Sequence, residues 1–241
     1  MASFIKRVKS GIPGVDEMVG GGLPENSVTI VSGSPGIGKS NFAMQYIYKG
    51  IEKYDESGIY LTVEDTPQNI RSYAKEFGWD LEKYENENKL AIVAQPIYGD
   101  DDKKERKNPE TLGEAIERIK AKRIVLDSVT LFKYLFKDDI SRRINLLNFI
   151  KQVKDANCTT LMVAEQHESN DQITYLDEHF LADGLMLLFW SKHKEKNERV
   201  FRVVKIRGNK INPDVRPMEI SDKGLTIYPT QVPLSLAASD R

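Results

Sequence analysis

The sequence predicts an α/β protein: a mostly parallel twisted sheet with helices on both faces and an antiparallel β extension at the C-terminal end. Three observations carry this. Strand and helix patterns alternate through residues 27–166, the arrangement that builds a parallel sheet. A glycine-rich loop joins the first strand of that series to a helix. Residues 183–229 hold strand patterns with no long helical pattern between them. No linker or composition shift divides the 241 residues, so one domain is expected over 1–241, with a core at 10–230 and a loosely held tail.

The elements follow in order. "SVTIVS" (27–32) is a short, β-branched apolar run and reads as a strand. Beyond the loop, Phe42, Ala43, Tyr46, Ile47 and Gly50 fall at helical spacing. "GIYLTVE" (58–64) is a second strand. "TPQNIRSYAKEFG" (66–78) is a helix with Thr66 to cap it, Pro67 in its first turn and Gly78 at its end. Its expected apolar stripe is Ile70, Tyr73, Ala74 and Phe77. "KLAIVAQPI" (89–97) is a third strand, and "TLGEAIERIKAK" (111–122) an amphipathic helix through Leu112, Ala115, Ile116 and Ile119. "RIVLDS" (123–128) is a fourth strand. Ile140, Ile144, Leu147 and Phe149/Ile150 mark a further helix running to Ala156. "TTLMVAEQ" (159–166) is a fifth strand, followed by "DGLMLLFW" (183–190), "ERVFRVVKIRG" (198–208) and "LTIYP" (225–229). "YGDDDKKERKNPE" (98–110) reads as a charged, solvated loop.

Composition narrows the function. Lys plus Arg number 35 against 36 Asp plus Glu, a formal net charge of -1. No global basic field draws the protein to nucleic acid or membrane. The lone Cys158 excludes an internal disulfide, and no Cys/His cluster suggests zinc. Cys158 reads as a buried thiol at a strand start. No apolar run reaches the roughly 20 residues of a membrane helix, and the first residues lack a signal-peptide pattern. A cytoplasmic protein is expected.

"GSPGIGKS" fits G-x-x-x-x-G-K-[ST] through Gly33, Gly38, Lys39 and Ser40. The glycines let successive N–H groups turn inward onto phosphate oxygens, and the helix that starts there adds its positive end. The expected nucleotide contacts are Ser34, Pro35, Gly36, Ile37, Gly38, Lys39, Ser40 and Asn41. Lys39 neutralises phosphate charge, and Ser40 offers a hydroxyl to Mg²⁺. Asp127, closing the apolar run of "RIVLDS", is the second expected magnesium-side residue. Hydrolysis also needs a group that orients or deprotonates water. Glu64 and Asp65 follow the second strand, where ligands of open α/β sheets sit. Glu64 is the better base, because Asp65 also suits the N-terminus of the next helix.

These residues carry a resemblance. "SGIPGVDEMVGGGLPENSVTIVSGSPGIGKS", "YLTVEDTPQNIRSYAKEFGWDLEKY", "IVLDSVT", "TTLMVAEQ" and "KIRG" resemble the KaiC-like branch of the RecA superfamily of P-loop ATPases. Their order is similar to one KaiC ATPase domain, not to the double-domain clock protein. The resemblance implies a RecA-like fold, ATP/ADP and Mg²⁺ as ligands, and a homo-oligomeric ring, a hexamer, with ATP at subunit interfaces. It implies that Glu64 and its acidic neighbour Asp65 are catalytic and that Gln166 senses the γ-phosphate. It also implies that Lys205 and Arg207 reach the neighbour's phosphates. Two residues apart on a strand, those two cations share a face.

"DEHFLADG" (177–184) offers no hydroxyl where the self-phosphorylating KaiC domain carries its acceptors, so autokinase activity is not expected. His179 reads as structural, His193 as solvent-facing, and His167 receives no catalytic role. Recombinase relatives bind DNA through two loops that match residues 130–141 and 167–179. The second is acidic and has no Lys or Arg, which repels a phosphate backbone. The aromatics of the first are expected to pack in the core. The sequence therefore reads as a slow, Mg-dependent ATPase. A nucleotide-switched scaffold serving an unidentified protein partner, and a DNA-binding ATPase, are the alternatives.

Overall fold

Every residue of "VTIVSG" (28–33) and of "GIYLT" (58–62) is buried. Strands covered by helices on both faces are buried along their whole length and are mostly apolar. The computed structural model describes residues 6–94, 110–166, 175–193 and 196–237. The segment 98–109, residues 95–97 of the third expected strand, His167, the acidic stretch 167–174 and the side chain of His193 lie outside the described residues.

Two short strands, β1 (Arg7–Val8) and β2 (Leu23–Pro24), pair around helix α1 (Val15–Met18). Then follow β3 (Val28–Gly33), α2 (Lys39–Tyr54), β4 (Gly58–Thr62), α3 (Pro67–Lys75), α4 (Leu81–Asn86), β5 (Leu90–Ala94) and α5 (Leu112–Ile119). Next come β6 (Arg123–Asp127), α6 (Leu131–Leu135), α7 (Asp139–Asp155), β7 (Thr159–Glu165) and α8 (Asp177–Leu181). The chain closes with β8 (Gly184–His193), β9 (Lys196–Ile206), β10 (Arg216–Ser221), β11 (Gly224–Ile227) and α9 (Leu234–Ala237).

Nine of the described strands form one sheet, ordered β11-β10-β9-β8-β3-β7-β6-β4-β5. From β8 to β5 every pair is parallel, and β9, β10 and β11 extend the sheet antiparallel. The extension therefore begins at β9, because β8 pairs parallel with β3. Side chains alternate between two apolar layers. Val31, Tyr60, Val125 and Val163 pack with α2 on one face. Ile30, Leu61, Leu126 and Met162 pack with α5 and α7 on the other.

Local signals set the helix ends. The Thr66 hydroxyl accepts the Asn69 N–H at 3.2 Å, and Thr111 and Glu114 form a reciprocal capping box. α4, absent from the sequence expectations, is capped by Asp80, which accepts the Lys83 N–H at 3.0 Å. The tail is docked through α9: Leu234 N–H donates to Glu198 and the Ser191 and Ser235 hydroxyls meet at 2.6 Å.

Two expected stripes need correction. On α3, Ile70 and Ala74 are buried but Tyr73 is exposed. On α7 the buried residues are Leu146, Ile150 and Val153, while Ile140, Ile144 and Leu147 are exposed at 73%, 51% and 43%. Both α7 sets have helical spacing, so periodicity alone could not choose between them. In the segment 130–141, Phe132 is buried as expected but Tyr134 is exposed.

Nothing local in the sequence announces the largest buried polar side chain among the described residues. Arg123 is fully buried at the start of β6. Its guanidinium donates to Glu56 at 2.7 and 2.5 Å and to the carbonyls of Tyr46 and Lys9, and it lies 4.6 Å over the Tyr46 ring. Gly50 makes room for it: a Cβ there would sit 2.4 Å from Arg123 Nε. Alanine favours a helix interior by about 1 kcal/mol over glycine. Overlap with a buried, ion-paired guanidinium outweighs that gain. Gly50→Ala is expected to destabilise the protein by about 1–3 kcal/mol, read as a lower denaturation midpoint; an unchanged or raised midpoint refutes the packing argument.

Candidate functional site

β3 delivers Gly33 to the C-terminal edge of the sheet, and α2 begins at Lys39. The turn between them needs left-handed backbone at Gly36 (φ 73°) and Gly38 (φ 116°), which glycine adopts without steric cost. Ile37 is fully buried and anchors the loop, while Pro35 and Gly36 are exposed. No side chain caps the start of α2. Its first-turn N–H groups therefore face the loop without an intrahelical partner, and the buried Ser34 Oγ has no partner among the described residues. Unclaimed donors around a helix N-terminus fit a phosphate. Asn41 stands half-buried in the same first turn.

Four charged side chains surround the loop. Lys39 donates to the Ser34 carbonyl at 2.9 Å. Burial lowers its pKa, opposed by the carboxylates of Glu165, Asp127 and Glu64. Asp127 ends β6, and burial raises its pKa against hydrogen bonds from Tyr60 and Ser40 and the charge of Lys39. Glu64 follows β4 and accepts from the Ser128 hydroxyl at 3.3 Å. Burial raises its pKa too, and the neighbouring carboxylates of Glu165 and Asp127 add to this. Among the described residues no group of three or more His, Cys, Asp or Glu is placed to hold a metal. The hydroxyl of Ser40 and the carboxylate of Asp127 are oxygen donors of the kind that hold Mg²⁺ jointly with phosphate.

Gln166 lies beside the loop, its N–H donating to the Gly33 carbonyl at 3.0 Å. Asp65 is turned to another task. Its carboxylate accepts the Thr66 N–H at 3.2 Å and the Asn69 amide at 2.7 Å, at the start of α3. Lys205 and Arg207 are not brought to this edge at all. Lys205 pairs with Leu185 near the start of β8, and the Arg207 N–H donates to the Asp183 carbonyl. Asp183 in turn binds Val28, the first residue of β3. Val28 and Gly33 are five strand residues apart, roughly 16 Å. The Lys205 ammonium donates to the Ala182 carbonyl at 2.9 Å, and Arg207 to that of Phe180 at 3.1 Å. Arg207 also lies 3.5 Å from Asp183 with its side chain 59% exposed.

Three residues of this neighbourhood escaped the sequence reading. Tyr60 donates to Asp127 Oδ2 at 2.5 Å, Ser128 holds Glu64, and Glu165 pairs in register with Gly33. The tyrosine in an otherwise aliphatic strand was the one available signal. Cys158 is buried as expected, its thiol pushed up to about 11. His179 is buried, and its Nδ1 accepts the Leu176 N–H at 3.0 Å, a structural role. No helix among the described residues is long and apolar enough to cross a membrane.

Known proteins resemble this chain along nearly its whole length. A UPF0273 protein of Methanocaldococcus jannaschii is 34% identical over 240 residues, covering 95% of this chain and 98% of its own. The circadian clock oscillator protein KaiC of Synechococcus elongatus is 34% identical over 234 residues, 93% of this chain but 44% of the clock protein. The crystal structure of a KaiC-like protein from Pyrococcus horikoshii superposes with a TM-score of 0.80 at 31% identity, covering 93% of this chain and all of that one. The family model of the KaiC ATPase matches residues 8–232. With an uncapped helix behind a glycine loop, a parallel sheet beneath it and this match along almost its whole length, the chain belongs to the KaiC ATPase family of the RecA superfamily.

Proposed function

We propose that the protein is a slow, Mg²⁺-dependent ATP hydrolase that works as a homo-oligomeric ring, a hexamer, with each nucleotide shared between two copies. One observation carries this reading: Lys39, Ser40, Asp127 and Glu64 converge on an uncapped helix N-terminus at the C-terminal edge of a parallel sheet. The backbone N–H groups of residues 36–41 and the Lys39 ammonium hold the phosphates. Ser40 and Asp127 hold Mg²⁺, which neutralises charge on the phosphate oxygens when bound. Glu64, steadied by Ser128, orients and deprotonates the attacking water. Gln166 stands beside the loop and reports the γ-phosphate. Asp65 supports the site by holding the start of α3.

The distance of Lys205 and Arg207 from their own loop supports a shared site, in which the phosphate they meet belongs to a neighbour. The exposed apolar stripe of Ile140, Ile144 and Leu147 is the kind of surface that assembly covers. The test is phosphate release from ATP by the purified chain with Mg²⁺ and with a chelator. Release that needs Mg²⁺ and is lost in Lys39→Ala is the expected result. ATP-dependent assembly with no release above the Lys39→Ala background overturns the hydrolase reading in favour of a nucleotide-switched scaffold.

A further inference from the structure

β4 carries one side chain whose chemistry its packing does not demand. Its neighbours Ile59 and Leu61 are aliphatic, and a parallel-sheet core is satisfied by such residues. Tyr60 is 2% exposed, on the face that packs against α2. Its register partner on β6 is Val125, and two residues further along Thr62 pairs with Asp127. The period of two puts Val125 and Asp127 on the same face as Tyr60. The phenol thus runs along that face from the level of Val125 to the level of Asp127. Its hydroxyl donates to Asp127 Oδ2 at 2.5 Å. Ser40, in the first turn of α2, lies beside both the tyrosine hydroxyl and the carboxylate, with one hydroxyl hydrogen to offer either.

We propose that Tyr60 is a positioning residue of the magnesium site: its hydroxyl holds Oδ2 of Asp127 so that the carboxylate presents its second oxygen in one orientation beside Ser40. This rests on the reading of Asp127 as a metal-side carboxylate. A carboxylate at a strand end turns about its last two side-chain bonds, and each orientation it samples away from the metal lowers the affinity of the site. A buried donor that binds one oxygen removes that freedom. With the Ser40 hydroxyl engaged by a metal, Tyr60 would remain as the carboxylate's fixed partner. Outer partners of this kind are worth on the order of 10–100-fold in metal affinity. Phenylalanine keeps the ring that fills the core and deletes only the hydroxyl.

The test measures binding, not turnover. Affinity for a fluorescently labelled ADP is measured with Mg²⁺ and with a chelator, in the wild type, Tyr60→Phe and Asp127→Asn. The ratio of the two affinities is the magnesium coupling. Tyr60→Phe is expected to bind ADP as the wild type does without Mg²⁺ and to lose about tenfold or more of the coupling. Wild-type coupling in Tyr60→Phe, with coupling lost in Asp127→Asn, overturns the role of Tyr60 and leaves the metal site standing. Unchanged coupling in Asp127→Asn overturns the metal reading itself. Equal loss of binding with and without Mg²⁺ in Tyr60→Phe, or its failure to fold in a thermal melt, shows that the hydroxyl serves the fold, and overturns the proposal.

Discussion

Glu64→Gln is expected to lower phosphate release by about 10²–10⁴-fold, the usual share of a general base, while ATP binding stays at the wild-type level. The side chain sits just beyond β4 and its Oε1 accepts from Ser128, itself buried at the end of β6. Glutamine keeps the size of glutamate and an oxygen that can accept the same bond. What it loses is the ability to take a proton from water. Unchanged release in Glu64→Gln removes Glu64 from the mechanism. The pH profile adds a second reading. Burial, with the charges of Glu165 and Asp127, raises the Glu64 pKa. A base must be ionised to act, so a raised pKa moves the loss of activity on acidification to higher pH. The acid limb of the rate profile is therefore expected above the range of an exposed glutamate.

Arg207→Ala is expected to cost about 10³–10⁵ in turnover, the range measured when an arginine finger is removed, with little effect on folding. Its side chain is 59% exposed, and its ion pair with Asp183 is long at 3.5 Å. An exposed pair of this kind contributes roughly 0–1 kcal/mol to stability. Asp183 keeps its other partners, the Val28 N–H at 2.9 Å and Lys154 at 2.6 Å. Arg207 is held by this long pair and by the Phe180 carbonyl, at the sheet end remote from its own loop. Such a placement suits a group that acts on a neighbour. A drop in turnover matched by an equal drop in stability would mark it as structural.

The phosphate loop was legible in the sequence because all its parts are local. A strand, two left-handed glycines and a helix start follow one another in a single stretch, and each demands a recognisable residue type. The capped helices were legible for the same reason: Thr66 and Thr111 act within a few residues of themselves. The placement of Asp127 and Glu64 beside the loop was legible through strand ends, where position along the chain maps onto one edge of the sheet. Long-range pairing was not legible. Arg123 and Glu56 are 67 residues apart, as are Tyr60 and Asp127, and nothing local announces either bond. On α7 only Ile150 and Phe149 of the expected stripe meet the core, because two apolar stripes compete there and only the fold decides which one meets the sheet. The cations at positions 205 and 207 were noticed by resemblance alone, and their distance from the loop became visible only with the sheet register.

The shared site is tested most directly by mixing two inactive proteins. Arg207→Ala keeps an intact loop, and Lys39→Ala keeps an intact Arg207. If Arg207 serves the neighbour's nucleotide, assemblies of both contain interfaces with a working loop on one side and a working arginine on the other. Phosphate release from the mixture is then expected to rise well above the sum of the two proteins alone. Release equal to that sum, in mixtures shown to co-assemble, contradicts the shared site.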